Sequence, residues 1–245
     1  MSTDEPFQKL VNQGMILGAD GQKMSKSRGN VVNPDAVVEE YGADAFRLYE
    51  MFMGPLEAVK PWVMKDIIGL SRFLDRVWKT AQKPTAEVEA PSALIRLTHR
   101  TIKKVTEDIE AMRFNTAISA LMILSNEMAK HDAIYDEAWA PFLQCLAPFA
   151  PHIGEELWER RGETASIVRS PWPTFDPALC VDDEVQIVVQ VNGKVRARFS
   201  ASKDAAKDTL EATALGLENV QRHLEGKTVR KVIVVPNKIV NIVVG

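Results

Sequence analysis

The chain has 245 residues, 46% hydrophobic and 26% charged, with 13 glycines and 13 prolines, values that exclude disordered, collagen-like and fibrous classes. Thirty Lys+Arg against 33 Asp+Glu leave a net charge of −3, so bulk charge does not mark a nucleic-acid binder. Cys145 and Cys180 make neither a disulfide framework nor a metal cluster, and no apolar run nears the roughly 20 residues of a membrane span.

The N-terminus MSTDEPFQKL has no basic segment followed by an apolar one, so no export signal is expected. Composition thus predicts a cytoplasmic, metal-free globular protein without a membrane partner. Met15-Ile16-Leu17 reads as a brief strand, and Asp20-Gly21 as a turn. Next comes the polar run Lys23-Met24-Ser25-Lys26-Ser27-Arg28-Gly29-Asn30. Asn33 then caps a helix with Pro34 in its first turn and Asp35 at the positive end of its dipole, and Gly42 ends it. A second short helix is expected over residues 44–53, with Phe46 and Tyr49 apolar.

From Lys65 to Arg161 the apolar spacing is helical. Ile67, Leu70, Leu74 and Val77 make one stripe, Leu94, Ile102, Val105 and Ile109 a second, and Ile118, Leu121, Leu124 and Met128 a third. Trp139, Leu143 and Leu146 open a fourth helix, which Pro148 and Pro151 break before a short last one bearing Ile153, Leu157 and Trp158. These are read as antiparallel helices of a bundle. Residues 168–183 lack periodicity and read as a linker or strap.

Beyond them the period becomes two. Strands over 185–191 and 194–200 flank Asn192-Gly193, a strong hairpin signal, and strands over 229–235 and 238–244 turn at Pro236-Asn237. Ser202 is expected to cap a helix running to about Leu215, with a shorter one to Leu224. The tail is thus a ββααββ unit, and the fold class is mainly α with α+β parts. Residues 181–245 hold ten basic and eight acidic side chains, net +2, against net −5 for the remainder. Alternation puts Lys194, Arg196 and Arg198 on one strand face.

The chemistry is concentrated in Lys23-Met24-Ser25-Lys26-Ser27. Two lysines and two hydroxyls on one loop can grip a polyphosphate. A lysine that meets the phosphates as charge moves onto leaving pyrophosphate stabilises the transition state more than the ground state. Arg28, Gly29 and Asn30 are expected to extend the donor surface. The histidines His99, His131 and His223 lie apart on helices and read as surface or boundary filling. The five tryptophans read as packing residues, and the Glu155-Glu156 and Asp182-Asp183 pairs as solvated. Arg160-Arg161 complements a helix dipole or meets a phosphate.

The run Lys23–Ser27 resembles the KMSKS signature of class I aminoacyl-tRNA synthetases. The wider strings are similar to leucyl-tRNA synthetases of the bacterial type: GMILGADGQKMSKSRGNVVNPDAVVEEYGADAFRLYEMFMGPLE, FNTAISALM, APFAPHIGEELW, VQVNGKVRARFS and KVIVVPNKIVNIVVG. Isoleucyl and valyl enzymes share the signature and a similar bundle, and the VNGKVRA hairpin tips the match to leucine. The resemblance implies that residues 1–63 close a catalytic unit and carry the KMSKS loop. It implies an anticodon-binding-type bundle over 64–170, a linker over 171–180, and a small tRNA-binding domain over 181–245.

The resemblance also implies ATP with Mg2+ as its counter-ion, leucine and its tRNA as partners, and no protein-bound metal. Lys26 is the position the family uses on the ATP phosphates, with Lys23 as its helper and Met24, Ser25 and Ser27 completing the loop. With the family granted, Lys194, Arg196 and Arg198, about 6.6–6.8 Å apart, and Lys227, Arg230 and Lys231 become candidate tRNA contacts.

A complete synthetase of this kind also needs a nucleotide-binding Rossmann half with a HIGH-type signature, and it carries an editing domain because a methylene is hard to discriminate by binding. None of these is found in the sequence. Pro151-His152-Ile153-Gly154-Glu155 only superficially resembles HIGH, since it starts a bundle helix. The expectation is a part of a leucine–tRNA ligase, inactive alone and complemented by an N-terminal synthetase subunit. The other readings are a free-standing tRNA-binding module and a folded piece without activity.

Overall fold

The computed structural model describes residues 7, 9–181, 184–203 and 205–245. The first six residues, read above for an export signal, and the Asp182-Asp183 pair lie outside the described residues. The chain divides into two compact units, Met1–Cys180 and Val181–Gly245.

The first unit opens with strand β1 (Ile16–Leu17), a 3-10 turn (Lys26–Arg28), helices α1 (Pro34–Tyr41) and α2 (Ala43–Phe52), and strand β2 (Lys60–Pro61). The Asn33 side chain accepts the Asp35 N–H at 3.1 Å, and Pro34 occupies the first helical position of α1. Gly42, at φ 87°, donates its N–H to Val38 O at 2.9 Å, ending α1 and turning the chain into α2 through a conformation that a side chain would strain. Strand β2 pairs parallel to β1, with the Lys60 and Trp62 N–H groups donating to Met15 O at 3.1 Å and Leu17 O at 2.8 Å. Only glycine fits just before β1: a Cβ on Gly14 would lie 2.0 Å from Ala58 O.

The bundle follows as α3 (Met64–Thr80), α4 (Ser92–Glu110), α5 (Phe114–Met128), α6 (Asp136–Leu146) and α7 (Pro151–Arg160). Leu48 of α2 is fully buried in the same core as Ile67, Phe73, Leu94, Ile118, Leu121 and Phe142. Each such side chain contributes about 1.5–3 kcal/mol by leaving water. The loop-bearing segment and the bundle therefore share one apolar interior.

The α4–α5 turn is held by a buried carboxylate. Asp108 accepts from Lys104 Nζ, from Arg113 Nε at 2.8 Å and from Thr116 Oγ1 at 2.6 Å. Burial pushes its carboxyl up, and the bonds from Lys104, Thr116 and Arg113 outweigh burial and hold it below the ordinary aspartate value. The segment without periodicity is a strap containing two 3-10 turns, Ile167–Arg169 and Pro177–Cys180. Trp172 Nε1 donates to Thr106 Oγ1 at 2.8 Å and the Asp176 N–H to His99 Nδ1 at 2.9 Å, tying the strap to α4.

The second unit comprises β3 (Glu184–Val191), β4 (Lys194–Ser202), α8 (Lys207–Gly216), α9 (Glu218–Leu224), β5 (Val229–Val235) and β6 (Ile239–Val244). Its sheet has the order β4-β3-β6-β5, with a parallel β3–β6 centre and antiparallel edges. Asn192 (φ 47°) and Gly193 (φ 78°) make the β3–β4 turn. The Asn192 amide also reaches across the sheet, donating to Val244 O at 3.1 Å and accepting the Val244 N–H at 3.0 Å. The inner face buries Ile187, Val189, Val240 and Ile242 with Leu210, Ala214 and Val220.

Ser202 does not cap the helix. Strand β4 runs through Ser202, which sits opposite Glu184, and α8 begins five residues later behind Ala206. Continued pairing along β3 prevails over the local capping bond that serine offers.

Candidate phosphate-binding loop and basic sheet

The loop between β1 and α1 is locked from within. Leu17 and Lys23 form a bridge, Gly18 donates its N–H to Gln22 O at 2.8 Å, and the Gln22 N–H donates to Asp20 Oδ1 at 3.0 Å. Asn30 Nδ2 donates to both Asp20 carboxylate oxygens at 3.1 Å, while Asn30 Oδ1 accepts the Ser25 N–H at 2.9 Å. The Gln22 N–H and then the Asn30 amide hold the Asp20 carboxyl below its ordinary value. Gly18 makes room for the lock, since a Cβ there would sit 2.7 Å from Asp20 Oδ1 and 2.8 Å from Asn30 Nδ2.

This lock decides which groups face outward. Met24 is half-buried and packs on the core, anchoring the loop by its middle. Lys23 and Lys26 are exposed, and among the described residues neither ammonium has a hydrogen-bond or ion-pair partner. The Ser25 and Ser27 hydroxyls lie 3.2 Å apart. Two free ammoniums and two adjacent hydroxyls on a braced backbone suit a polyphosphate. Asn30 is not part of the expected donor surface, because its amide is turned inward. Arg28 Nη1 donates to Gln22 Oε1 at 3.3 Å, so it too braces the loop. The sequence reading missed Asp20 and Gln22 as parts of this lock; the spacing Gly18-x-Asp20…Asn30 is its only trace.

His152 takes no part in the loop. Its Nδ1 lies 2.8 Å from Asp44 Oδ1, and its side chain is 72% exposed. Asp44, from the first turn of α2, also accepts the Ile153 N–H at 2.7 Å and so caps α7 from a distant part of the chain. One turn on, Arg47 donates through Nη2 to Pro148 O at 3.0 Å and through Nε to Phe149 O at 3.3 Å. Helix α2 therefore satisfies both sides of the α6–α7 corner. Arg161 pairs with Asp136 and Glu163, and Arg160 pairs with Glu156 and stacks 4.3 Å from the Trp78 ring centre.

In the second unit the expected alternation breaks at a β-bulge. Gln190 pairs with Val195 and Val189 with Ala197, leaving Arg196 as the extra residue. Register then puts Lys194, opposite Val191, on the helix-covered side of the sheet, and Arg198, opposite Val188, on the other. Arg196 is half-buried. A second irregularity isolates Arg230, whose guanidinium lies against Gly245, while Lys231, opposite Val243, shares the open face with Arg198. Those two are at opposite edges, about 14 Å apart across the sheet and offset four residues along it, so about 20 Å apart in all. Lys227 Nζ donates to His223 O at 3.2 Å at the end of α9. The six basic residues thus do not form one stripe.

A family model for class I tRNA synthetases (I, L, M and V) matches residues 1–60, and one for the anticodon-binding domain of tRNA ligase matches residues 92–211. The chain belongs to the class I tRNA synthetases. Its likeness to the leucyl type rests on a solved structure, the agnB2 LeuRS of Agrobacterium radiobacter K84 in a ternary complex with tRNA and LeuAMS. The two are 33% identical over 100% of this chain and 34% of that one, with a TM-score of 0.73. The synthetase chain thus spans about a third of the length of that relative. The class I match contains the whole KMSKS loop with its Asp20–Asn30 lock; the anticodon-binding match starts with α4 and runs through the strap into α8. Among the described residues no group of three or more His, Cys, Asp or Glu is gathered to hold a metal, and no helix is long and apolar enough to cross a membrane.

Proposed function

We propose that this chain supplies the KMSKS loop and tRNA-docking surfaces of a cytoplasmic leucine–tRNA ligase, the nucleotide- and leucine-binding half lying outside these 245 residues. The observation that carries this reading is the braced loop that leaves the Lys23 and Lys26 ammoniums unpaired. In the ligase reaction the leucine carboxylate attacks the α-phosphorus of ATP and pyrophosphate leaves. Lys26 neutralises the charge that builds on the leaving group, Lys23 assists, and the Ser25 and Ser27 hydroxyls with the loop backbone at Met24 orient the phosphates. Mg2+ would accompany ATP as its counter-ion and supply charge neutralisation on the phosphates.

On the tRNA side, Arg198 and Lys231 on the open sheet face lead the proposed contacts, with Lys194, Arg196, Lys227 and Arg230 around them. Their role is sugar–phosphate contact, which reads shape more than sequence.

The test is complementation. Mixed with the N-terminal two thirds of a leucyl-type synthetase, the chain restores leucine-dependent ATP–pyrophosphate exchange, and Lys26→Ala lowers the restored rate by about 10²–10³-fold. Specific leucine-tRNA binding without restored exchange would instead make the chain a free-standing tRNA-binding module.

A further inference from the structure

A cavity of about 420 Å³ opens between α2, the α4–α5 turn region and the α6–α7 corner, and none of its lining residues belongs to the KMSKS loop. Its walls are apolar: Phe46 and Met51 of α2, Phe114 of α5, and Phe149 of the corner, with Phe114 and Phe149 meeting edge to face at 6.1 Å. The volume falls within the range of small-molecule sites, and such sites combine apolar walls with a few polar groups that fix orientation.

Two charged side chains reach this cavity. Arg47 is already engaged, donating to the Pro148 and Phe149 carbonyls. Glu50, one turn further along α2, is half-buried, and among the described residues its carboxylate has no hydrogen-bond or ion-pair partner. Elsewhere in this unit a sequestered carboxylate is fully paired: Asp108 has three donors and Asp44 has two backbone N–H groups and an imidazole. Burial alone pushes the Glu50 carboxyl above the ordinary glutamate value. A partly desolvated carboxylate without donors is stabilised most by a cation that carries its own N–H groups.

We propose that this cavity binds a small amphipathic ammonium compound, its apolar body between Phe46, Met51, Phe114 and Phe149 and its ammonium on the Glu50 carboxylate. This site is separate from the KMSKS loop and does not depend on the ligase reading.

The probe is phenethylamine, compared with phenethyl alcohol as its uncharged counterpart, by calorimetric titration of the full chain at neutral pH. Methyl resonances of 13C-labelled Met51 report where each probe sits. The native chain is expected to bind the amine at least tenfold more tightly than the alcohol, with the Met51 methyl shifting. Glu50→Gln is expected to erase that difference while leaving the alcohol's binding unchanged. Equal binding of amine and alcohol by the native chain overturns the ammonium assignment without recourse to any variant. No binding of either probe, or binding that leaves Met51 unmoved, overturns the site itself.

Discussion

The Asp44 carboxylate lies 2.8 Å from His152 Nδ1 and accepts the Ile153 N–H at 2.7 Å, so a side chain from α2 caps a helix more than a hundred residues away. Ala150, at the position where α7 would find its own cap, has no side-chain acceptor. Asp44 supplies the missing acceptor and places negative charge at the positive end of the helix.

Asp44→Ala should therefore destabilise the first unit by about 1–2 kcal/mol, the usual worth of a cap. His152→Ala should cost much less, because its ring is mostly in water. Urea unfolding followed by tryptophan fluorescence checks both, and since all five tryptophans precede residue 181 the signal reports the first unit alone. Equal effects of the two substitutions would assign the contact to the imidazole and not to the cap.

Asp108 gives a pH dependence with a defined sign. Its folded carboxyl is held below the ordinary value, so its contribution is complete above the unfolded aspartate range and disappears as pH falls through the folded value. Asp108→Asn should cost roughly 1–3 kcal/mol at pH 7. The gap between native and variant melting temperatures should close as the pH is lowered toward 2. A gap that stays constant with pH would mean that packing, not charge, holds the α4–α5 turn.

Asn30 is the hub of the loop lock, and its removal should be visible without any enzymatic assay. Lys23, Lys26 and Arg28 are trypsin sites inside the lock. Asn30→Ala should raise the rate of cleavage there about tenfold through more frequent local opening, with sites in the bundle unaffected. Ser27→Ala, which removes only the hydroxyl facing Ser25, should leave the cleavage rate near native.

The open sheet face orders the basic residues by consequence. Arg198→Glu and Lys231→Glu should each weaken leucine-tRNA binding and reduce its dependence on salt, by a slope of about 0.7–0.9 for each phosphate no longer neutralised. Lys194→Glu, on the helix-covered side, should do less. Equal effects at all three positions would point to long-range charge and not to a docked face.

The two thiols should separate in reactivity. Burial pushes the Cys145 thiol up to about 12, whereas Cys180 is half-buried at the end of the strap. Alkylation at pH 8 should label Cys180 first and reach Cys145 only on unfolding, as peptide mass mapping would read.

What sequence reveals here follows the range of the forces involved. The stripes Ile67–Val77 and Ile118–Met128 are repeated every three to four residues and fix α3 and α5 by themselves. Asn33-Pro34 and Asn192-Gly193 are equally local, and so are legible. The KMSKS run is legible as five adjacent residues, but the turning inward of Asn30 depends on an aspartate ten positions earlier. The bulge at Arg196 depends on where β3 slips against β4, which no pattern within β4 encodes. Asp44 reads as an ordinary first-turn acid of α2, because nothing near it in the chain announces α7.

Before β1 the chain touches Glu57 and Ala58, just ahead of β2, so closely that only Gly14 fits, and the Lys60 and Trp62 N–H groups donate back to the Met15 and Leu17 carbonyls. Two residues beyond Trp62 the chain enters α3, and six residues beyond Leu17 it enters the KMSKS run. The root of the loop and the foot of the first bundle helix are thus rungs of one short ladder. A tug on the bundle is delivered to the loop as a shift of its base, with its internal bracing intact, so the loop travels as a tool on a handle and not as a free tether.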